Sequence, residues 1–325
     1  MPLTARAIIR RIETGLIAAV LALFVLFGIL EPQFLSVGSL NNIFRFVSIL
    51  GIMAIGETFV ILSGGIDLSP GSVIGLTGMV VGGLLSYFKV QWLLAIFLTL
   101  LLGVAIGAWH GFFTTKLSPP MPQIAPSFLV TLGTLIVGRG VAQYLTRGYP
   151  ILVTPIDQPI FTYLGGGTSL GLPVPLIFLL IVTAIVVFAL YFTPFGRHVF
   201  GIGGSLEAAR VSGIDINRTR FSVYIISAVL FSFAGILITA MLNAAYPGTG
   251  SGYELIAISS VAIGGVSLAG GEGTPYGTLL GVTLVWSIQT GLVMTNVSPY
   301  LTDIITGIIL IFAVGVNLYN KIRIR

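Results

Sequence analysis

The chain has 325 residues, of which 56% are hydrophobic and only 8% are charged, and its formal net charge is +5. A water-soluble domain carries about 25% charged residues, so this composition excludes a soluble globular protein and indicates a membrane protein built almost entirely of spans. The chain has no cysteine, which excludes disulfides and thiolate ligands, and its basic residues lie at the ends of apolar runs, where they orient helices rather than bind nucleic acid.

Ten apolar runs are candidates to cross a bilayer, which takes roughly 20 residues of helix. In chain order the predicted spans are 14–30, 43–62, 70–88, 92–115, 124–146, 172–192, 221–242, 255–270, 274–294 and 300–319. The runs 43–62 and 255–270 each end at a glycine pair, which leaves open whether each is a full span or a half-helix that turns back. The sequence therefore predicts an all-α membrane bundle of about ten helices, two of them broken or short, forming one domain over residues 1–325.

Lysine and arginine predict the orientation of this bundle. With ten spans, both termini and the long loop 193–220 lie on the same side and carry most of the basic residues. Cytoplasmic loops are enriched in these residues, so we expect both termini and the loop 193–220 in the cytoplasm. The first apolar run ends without a small-residue cleavage pattern and is expected to stay as an anchor.

The first helix break lies in residues 56–78, GETFVILSGGIDLSPGSVIGLTG. Gly64 and Gly65 end one apolar run, and Ser69 before Pro70 is the pattern of an N-cap followed by the first helical residue. Asp67 is left with two alternative roles. It either accepts structural hydrogen bonds from nearby backbone amides or lies along a polar path through the membrane.

A second break repeats this pattern, since residues 264–271 read GGVSLAGG where residues 64–71 read GGIDLSPG. Irregular backbone at membrane depth is tolerated only where protein or a water-filled cavity surrounds it. We therefore expect both breaks to line the inner part of a translocation pathway. The candidate pathway residues are Gly64, Gly65, Asp67, Ser69, Gly264, Gly265, Gly270 and Gly271.

Other charged residues predicted at membrane depth are expected to face a cavity or a partner, because a charge there is costly. They are Glu57, Arg139, Glu254 and Glu272. Arg139 lies near the outer end of its span, where extension to the membrane surface is favoured over contact with a cavity or a partner. Glu254 and Glu272 lie at span ends, within reach of water.

The loop 193–220 contains the pattern of a short helix. Ser205 is a suitable N-cap, residues 206–211 can form one to two turns, and Gly213 stops them. Such a helix either lies on the membrane surface or docks into a groove of a partner. The small Ala208 and Ala209 offer little apolar area to lipid, which favours docking.

Motifs of enzymes are absent from the sequence or occur by chance. There is no Gly-Lys-Ser/Thr phosphate loop and no HExxH, and the GxSxG match at residues 167–171 lies in a glycine-rich external loop. We predict no catalytic residue, no metal site and no cofactor.

Three segments resemble the inner-membrane permease subunits of bacterial ABC importers for monosaccharides of the ribose, xylose and galactose type. They are residues 56–78, 195–214 and 252–281, and their spacing extends the resemblance over nearly the whole chain. Two positions depart from the family: His110 stands where the family often has Asn, and Ile256 where it often has an acidic residue. These departures weaken any inference about which sugar is carried.

The resemblance implies an importer subunit whose loop 193–220 couples it to an ATPase, because residues 207–213 fit the EAA-x-x-x-G pattern of importer permeases. The implied coupling residues are Ser205, Glu207, Ala208, Ala209 and Gly213. The implied partners are a cytoplasmic ATP-binding subunit, a periplasmic or tethered sugar-binding protein, and a second permease copy, either identical or a close paralogue. A stand-alone secondary transporter or channel is the alternative; it explains broken helices but not the loop.

Overall fold

The computed structural model describes residues 3–116, 124–308, 311 and 315. The helices are α1 Leu3–Leu30, α2 Val37–Leu62, α3 Pro70–Ser86, α4 Trp92–Thr115, α5 Ile124–Thr146, α6 Pro159–Gly166, α7 Val174–Phe192, α8 Pro194–Gly204, α9 Leu206–Val211, α10 Ile216–Leu242, α11 Tyr253–Ile263 and α12 Pro275–Met294. A last helix is described from Pro299 to Ile308. Four two-residue strands form the antiparallel pairs β1–β4 and β2–β3; they are β1 Ile151–Leu152, β2 Thr168–Ser169, β3 Leu172–Pro173 and β4 Ala244–Ala245.

Seven of the described helices are long and apolar enough to cross a membrane, namely α1, α2, α4, α5, α7, α10 and α12. The helical class is therefore confirmed, and the predictions 92–115 and 124–146 match α4 and α5 residue for residue. The run 43–62 is the C-terminal part of α2, a helix of 26 residues, so it belongs to a full-length helix rather than to a half-helix. The predicted span 300–319 extends beyond the described residues.

The run 255–270 is not one full helical span, because α11 has only 11 residues and ends at Ile263. Of the two alternatives that the sequence left open, the structure has the short helix. At 1.5 Å per residue it is about 16 Å long, roughly half the thickness of a hydrocarbon core. The helix α3, with 17 residues, is also shorter than the seven candidate spans.

The core lies around α2 and α10. Within the apolar windows of these helices, 89% of α2 and 61% of α10 are buried, against 6% of α1 and 17% of α5. The large side chains Phe59 of α2 and Tyr224 and Phe231 of α10 are almost fully buried. This burial places α2 at the centre of the bundle and leaves α1 and α5 at its edge.

The first break begins with a Schellman cap at the end of α2. The N–H of Gly65 donates to the carbonyl of Val60 at 3.0 Å, and that of Gly64 donates to Ile61 at 2.9 Å. Gly64 has a φ of 81°, the left-handed conformation that this cap requires and that costs an L side chain energy.

The second break has the same cap at the end of α11. The N–H of Val266 donates to Val261 at 3.2 Å, the N–H of Gly265 donates to Ala262 at 3.0 Å, and Gly265 has a φ of 84°. The expectation that the two helices break in a similar way is confirmed, but the equivalent of Gly64 is Gly265. The sequence pattern is therefore one residue out of register with the structural one.

We name the two ends of the bundle the strand end, where β1 pairs with β4, and the α9 end. The short helix α3 lies toward the strand end, and the short helix α11 lies toward the α9 end. Helix α3 runs to the strand end, where the Ser86 hydroxyl donates to the carbonyl of Leu152. Helix α11 begins near the start of α3, where Gly71 packs against Gly250 and Glu254. Each of these short helices follows a stretch of irregular chain: residues 63–69 precede α3, and residues 246–252 precede α11.

Candidate functional site

The extended backbone of the first break is held by polar side chains of α5. The N–H of Ile66 donates to Ser127 Oγ at 3.2 Å, and the N–H of Leu68 donates to Thr131 Oγ1 at 3.0 Å. Ser127 and Thr131 lie four residues apart, so they are on one face of the helix, opposite alternate residues of the extended segment. Backbone N–H groups at membrane depth need such partners, because no water is guaranteed there.

Asp67 is fully buried, and both its backbone N–H and its side chain make hydrogen bonds. Its N–H donates to Glu57 Oε1 at 3.2 Å, and its Oδ1 accepts from the N–H and the hydroxyl of Ser69 at 2.7 and 2.6 Å. Asp67 thus makes the backbone hydrogen bond that one of its two alternative roles predicted. Ser69 is the N-cap and Pro70 the first helical residue of α3, as predicted, but the Ser69 hydroxyl makes no capping hydrogen bond and donates to Asp67 instead.

Three fully buried side chains of this region form what we call the carboxylate–histidine cluster: Glu57, Asp67 and His110. Asp67 Oδ2 lies 3.6 Å from Nδ1 of His110 on α4, beyond hydrogen-bonding distance. Among the described residues, Glu57 Oε2, Asp67 Oδ2 and both ring nitrogens of His110 have no hydrogen-bond partner. Buried polar atoms without partners are costly and mark a place that needs a functional explanation.

The two breaks meet at the α9 end. The N–H of Gly271 donates to the carbonyl of Leu62, the last residue of α2, at 3.0 Å. Arg220, only 4% exposed at the start of α10, donates from Nη2 to the carbonyl of Ser63 at 3.1 Å. From the sequence, Arg220 counted only as one of the basic residues of the loop 193–220 that orient the bundle, and its contact with the first break was not predicted.

The candidate pathway residues are mostly closed off in this structure. Gly65, Asp67, Ser69, Gly264, Gly265 and Gly270 are buried, and Gly64 and Gly271 are partly exposed. The structure brings Gly64, Gly270 and Gly271 together, whereas Gly264 packs against Gly277 of α12.

The short helix of the loop is confirmed residue for residue as α9, Leu206–Val211. Ser205 caps it, since its hydroxyl oxygen accepts from the N–H of Ala208 at 3.3 Å, and Gly213 ends it with a φ of 77°. Glu207 and Ala208 are exposed, while Ala209 is buried and seats the helix on the bundle. The exposed face of α9 is therefore free to contact another protein.

Two of the other charged candidates bind backbone groups of the segment before α11. Arg139 donates from Nη1 to the carbonyls of Pro247 and Thr249 at 2.9 and 2.8 Å, so the expectation that it extends to the membrane surface is wrong. Glu254 Oε1 accepts from the N–H of Gly252 at 3.3 Å. Among the described residues, no group of three or more His, Cys, Asp or Glu side chains is placed to hold a metal ion.

Comparisons with known proteins agree with this architecture. A family model described as "Branched-chain amino acid transport system / permease component" matches residues 39–314. The ribose import permease protein RbsC of Escherichia coli (strain K12) is 37% identical over 306 residues, covering 94% of this chain and 93% of that protein. RbsC of Bacillus subtilis (strain 168) is 37% identical over 90% of this chain and 88% of its own. The xylose transport system permease protein XylH of Escherichia coli (strain K12) is 30% identical over 95% and 92%. No solved structure matches the chain.

Proposed function

Because the chain belongs to the family described as branched-chain amino acid transport system / permease component, we propose that it is the membrane-spanning subunit of an ATP-driven importer of a monosaccharide. The family description names amino acids, but relatives that match over nearly the whole chain are named for ribose and xylose. Permease components are transport subunits rather than enzymes, so hydrolysis of ATP belongs to a separate partner.

The observation that carries this proposal is the position of α9. An exposed helix capped at both ends lies at the end of the bundle where both helix breaks meet. A helix in this place can receive a movement from a docked protein and stands next to the segments that would open or close a path. Its coupling residues are Ser205, Glu207, Ala208, Ala209 and Gly213.

In the proposed arrangement, residues 1–325 form one permease domain in the bacterial inner membrane. The α9 end and both termini face the cytoplasm, and the short helices α3 and α11 complete ten crossings together with the irregular chain beside them. A second permease copy completes the pathway, a cytoplasmic ATPase binds α9, and a periplasmic or tethered protein delivers the sugar. ATP binding and hydrolysis by the partner rock the two copies between outward-open and inward-open states.

The proposed pathway residues are those of the two breaks. The carboxylate–histidine cluster beside the first break supports this assignment. Its atoms without partners are hydrogen-bonding groups that a polyhydroxylated sugar or its accompanying water could use. Asp67 would then serve both alternatives, with Oδ1 holding the backbone and Oδ2 facing the path.

The test is uptake of labelled ribose and xylose into proteoliposomes. The chain is reconstituted with an ATPase and a sugar-binding protein of the same organism, sought first among neighbouring genes, and with each partner omitted in turn. We expect uptake of a monosaccharide that requires ATP and both partners. Uptake by the chain alone without ATP would contradict the proposal and favour a stand-alone transporter or channel.

The role of α9 is tested separately with Glu207→Ala. We expect the variant to insert and remain folded but to lose most stimulation of the ATPase and most uptake. The matched control is Glu31→Ala, which removes a carboxylate from the turn between α1 and α2. Wild-type uptake and ATPase stimulation in Glu207→Ala would contradict the docking role.

A further inference from the structure

Gly203, in the last turn of α8, lies against the hydrogen bond that joins the two helix breaks. A Cβ atom at Gly203 would collide with the carbonyl oxygen of Leu62 and with the backbone nitrogen of Gly271. These are the acceptor and the donor of the bond between the breaks. The contact of α8 with both breaks is therefore one of backbone against backbone, which only glycine permits.

The helix α8 is seated firmly on the core by one face. Phe195, Val199, Ile202 and Gly203 follow the spacing of a single helical face, and both Val199 and Ile202 are buried. The ring of Phe195 lies 6.1 Å from the ring of Phe59 on α2. A displacement of α8 would consequently reach α2 at Phe59 and at Leu62, which lie against the two ends of this face.

The connection from α8 to α9 contains no flexible linker. Ser205 closes α8, because its N–H donates to the carbonyl of Gly201 at 3.1 Å. The same residue opens α9, because its hydroxyl oxygen accepts from the N–H of Ala208. One residue thus caps two helices, and a movement of α9 is passed directly to α8.

We propose that α8 transmits the movement of α9 to both helix breaks through a glycine joint, consisting of Gly203, Leu62 and Gly271. This inference rests on the proposed function, in which α9 binds an ATPase. Gly203 acts as a positioning residue: it touches neither sugar nor nucleotide. Because the joint consists of backbone atoms, no side-chain rotation can absorb the displacement, and the two breaks move with α8 as one unit.

The test compares Gly203→Ala with its neighbour Gly204→Ala in the full complex with the ATPase and the sugar-binding protein. A Cβ at Gly204 meets nothing within 4 Å, so this variant is a control for the same substitution one residue away. For Gly203→Ala we expect normal binding of the ATPase and continued ATP hydrolysis, with sugar transported per ATP lowered by about tenfold. For Gly204→Ala we expect both values within about twofold of wild type.

An unchanged ratio of sugar to ATP in Gly203→Ala would overturn the proposal. Since the substitution can also destabilise the fold, a second measurement uses the wild-type complex. Hydrogen exchange is compared with and without a non-hydrolysable ATP analogue. We expect changed protection in α9, in α8 and in the peptides that contain Leu62 and Gly271.

The pattern of exchange separates failure of the joint from failure of the proposed function. Changes confined to α9 would refute the joint while leaving the coupling role of α9 intact. No binding of the ATPase and no change in α9 would instead refute the proposed function on which the joint depends.

Discussion

The two helix breaks share a cap but differ in what holds the chain after it. In the first, the N–H groups of residues 66–68 donate to side chains of α5 and α2. In the second, the chain folds back on itself: the N–H of Ser267 donates to the backbone carbonyl of Glu272 at 2.8 Å, and the N–H of Gly270 donates to the backbone carbonyl of Ser267 at 2.8 Å. The glycine pair therefore sets the cap, while the surroundings set the course of the chain. The first break depends on neighbouring helices, and the second is largely a local structure.

The largest effect is expected from Asp67→Ala, which breaks the first segment alone. It leaves the buried N–H and hydroxyl of Ser69 without their acceptor, at about 1–3 kcal/mol for each donor. We expect a large fall in the midpoint of thermal unfolding of the purified protein in detergent. Asp67→Asn keeps one acceptor oxygen and should recover most of the loss.

The control for this prediction is Asp157→Ala, which removes an exposed carboxylate from the loop after α5. It should leave the unfolding midpoint nearly unchanged. Equal midpoints for Asp67→Ala and Asp157→Ala would show that Asp67 does not hold the break.

A smaller and equal effect is expected from Gly64→Ala and Gly265→Ala, which address what the breaks share. Both residues are left-handed, with φ of 81° and 84°, and an L side chain there costs about 1–2 kcal/mol. Thermal unfolding of the two variants should fall by similar amounts. The control is Gly38→Ala, where a Cβ meets nothing within 4 Å. A loss at only one of the two positions would contradict the common cap.

The smallest effect is expected from Thr131→Val, which removes the acceptor for the N–H of Leu68. The segment is partly buried there, so we expect a loss of about 0.5–1.5 kcal/mol. Thr134→Val is the matched control one turn along α5, because its hydroxyl donates only to the carbonyl of Val130 within its own helix. If both variants unfold at the same temperature, the first break does not depend on α5 as described.

The features that the sequence predicted are those encoded by neighbouring residues. The bounds of α4, α5 and α9 and the stop at Gly213 follow from runs of apolar residues and from capping signals within a few positions. The break after Gly64 is equally local. Ser69 was predicted correctly as the N-cap residue, but the hydrogen bond of its hydroxyl to Asp67 was not predicted.

The contacts that matter most for the candidate site could not be predicted, because they join residues far apart in the chain. No spacing relates His110 of α4 to Asp67, or Gly203 of α8 to Leu62 and Gly271. The sequence left open whether 255–270 is a full span, and the structure settles its length by ending α11 at Ile263 with a glycine cap.

The reactivity of single cysteines shows whether both breaks line the pathway. The chain has no native cysteine, so each variant carries one reactive thiol. Gly264 is unsuitable, because a Cβ there collides with the backbone of Gly277, and Ile66 and Leu268 are the better positions because both are partly exposed. Leu170→Cys, 96% exposed at the opposite end of the bundle, is the positive control.

The measurement is the rate of labelling by a water-soluble maleimide in the full complex, without nucleotide and with a non-hydrolysable ATP analogue. We predict that Ile66→Cys and Leu268→Cys both react in one of these states and are protected in the other. Protection of both positions in both states, while Leu170→Cys reacts throughout, would contradict the account.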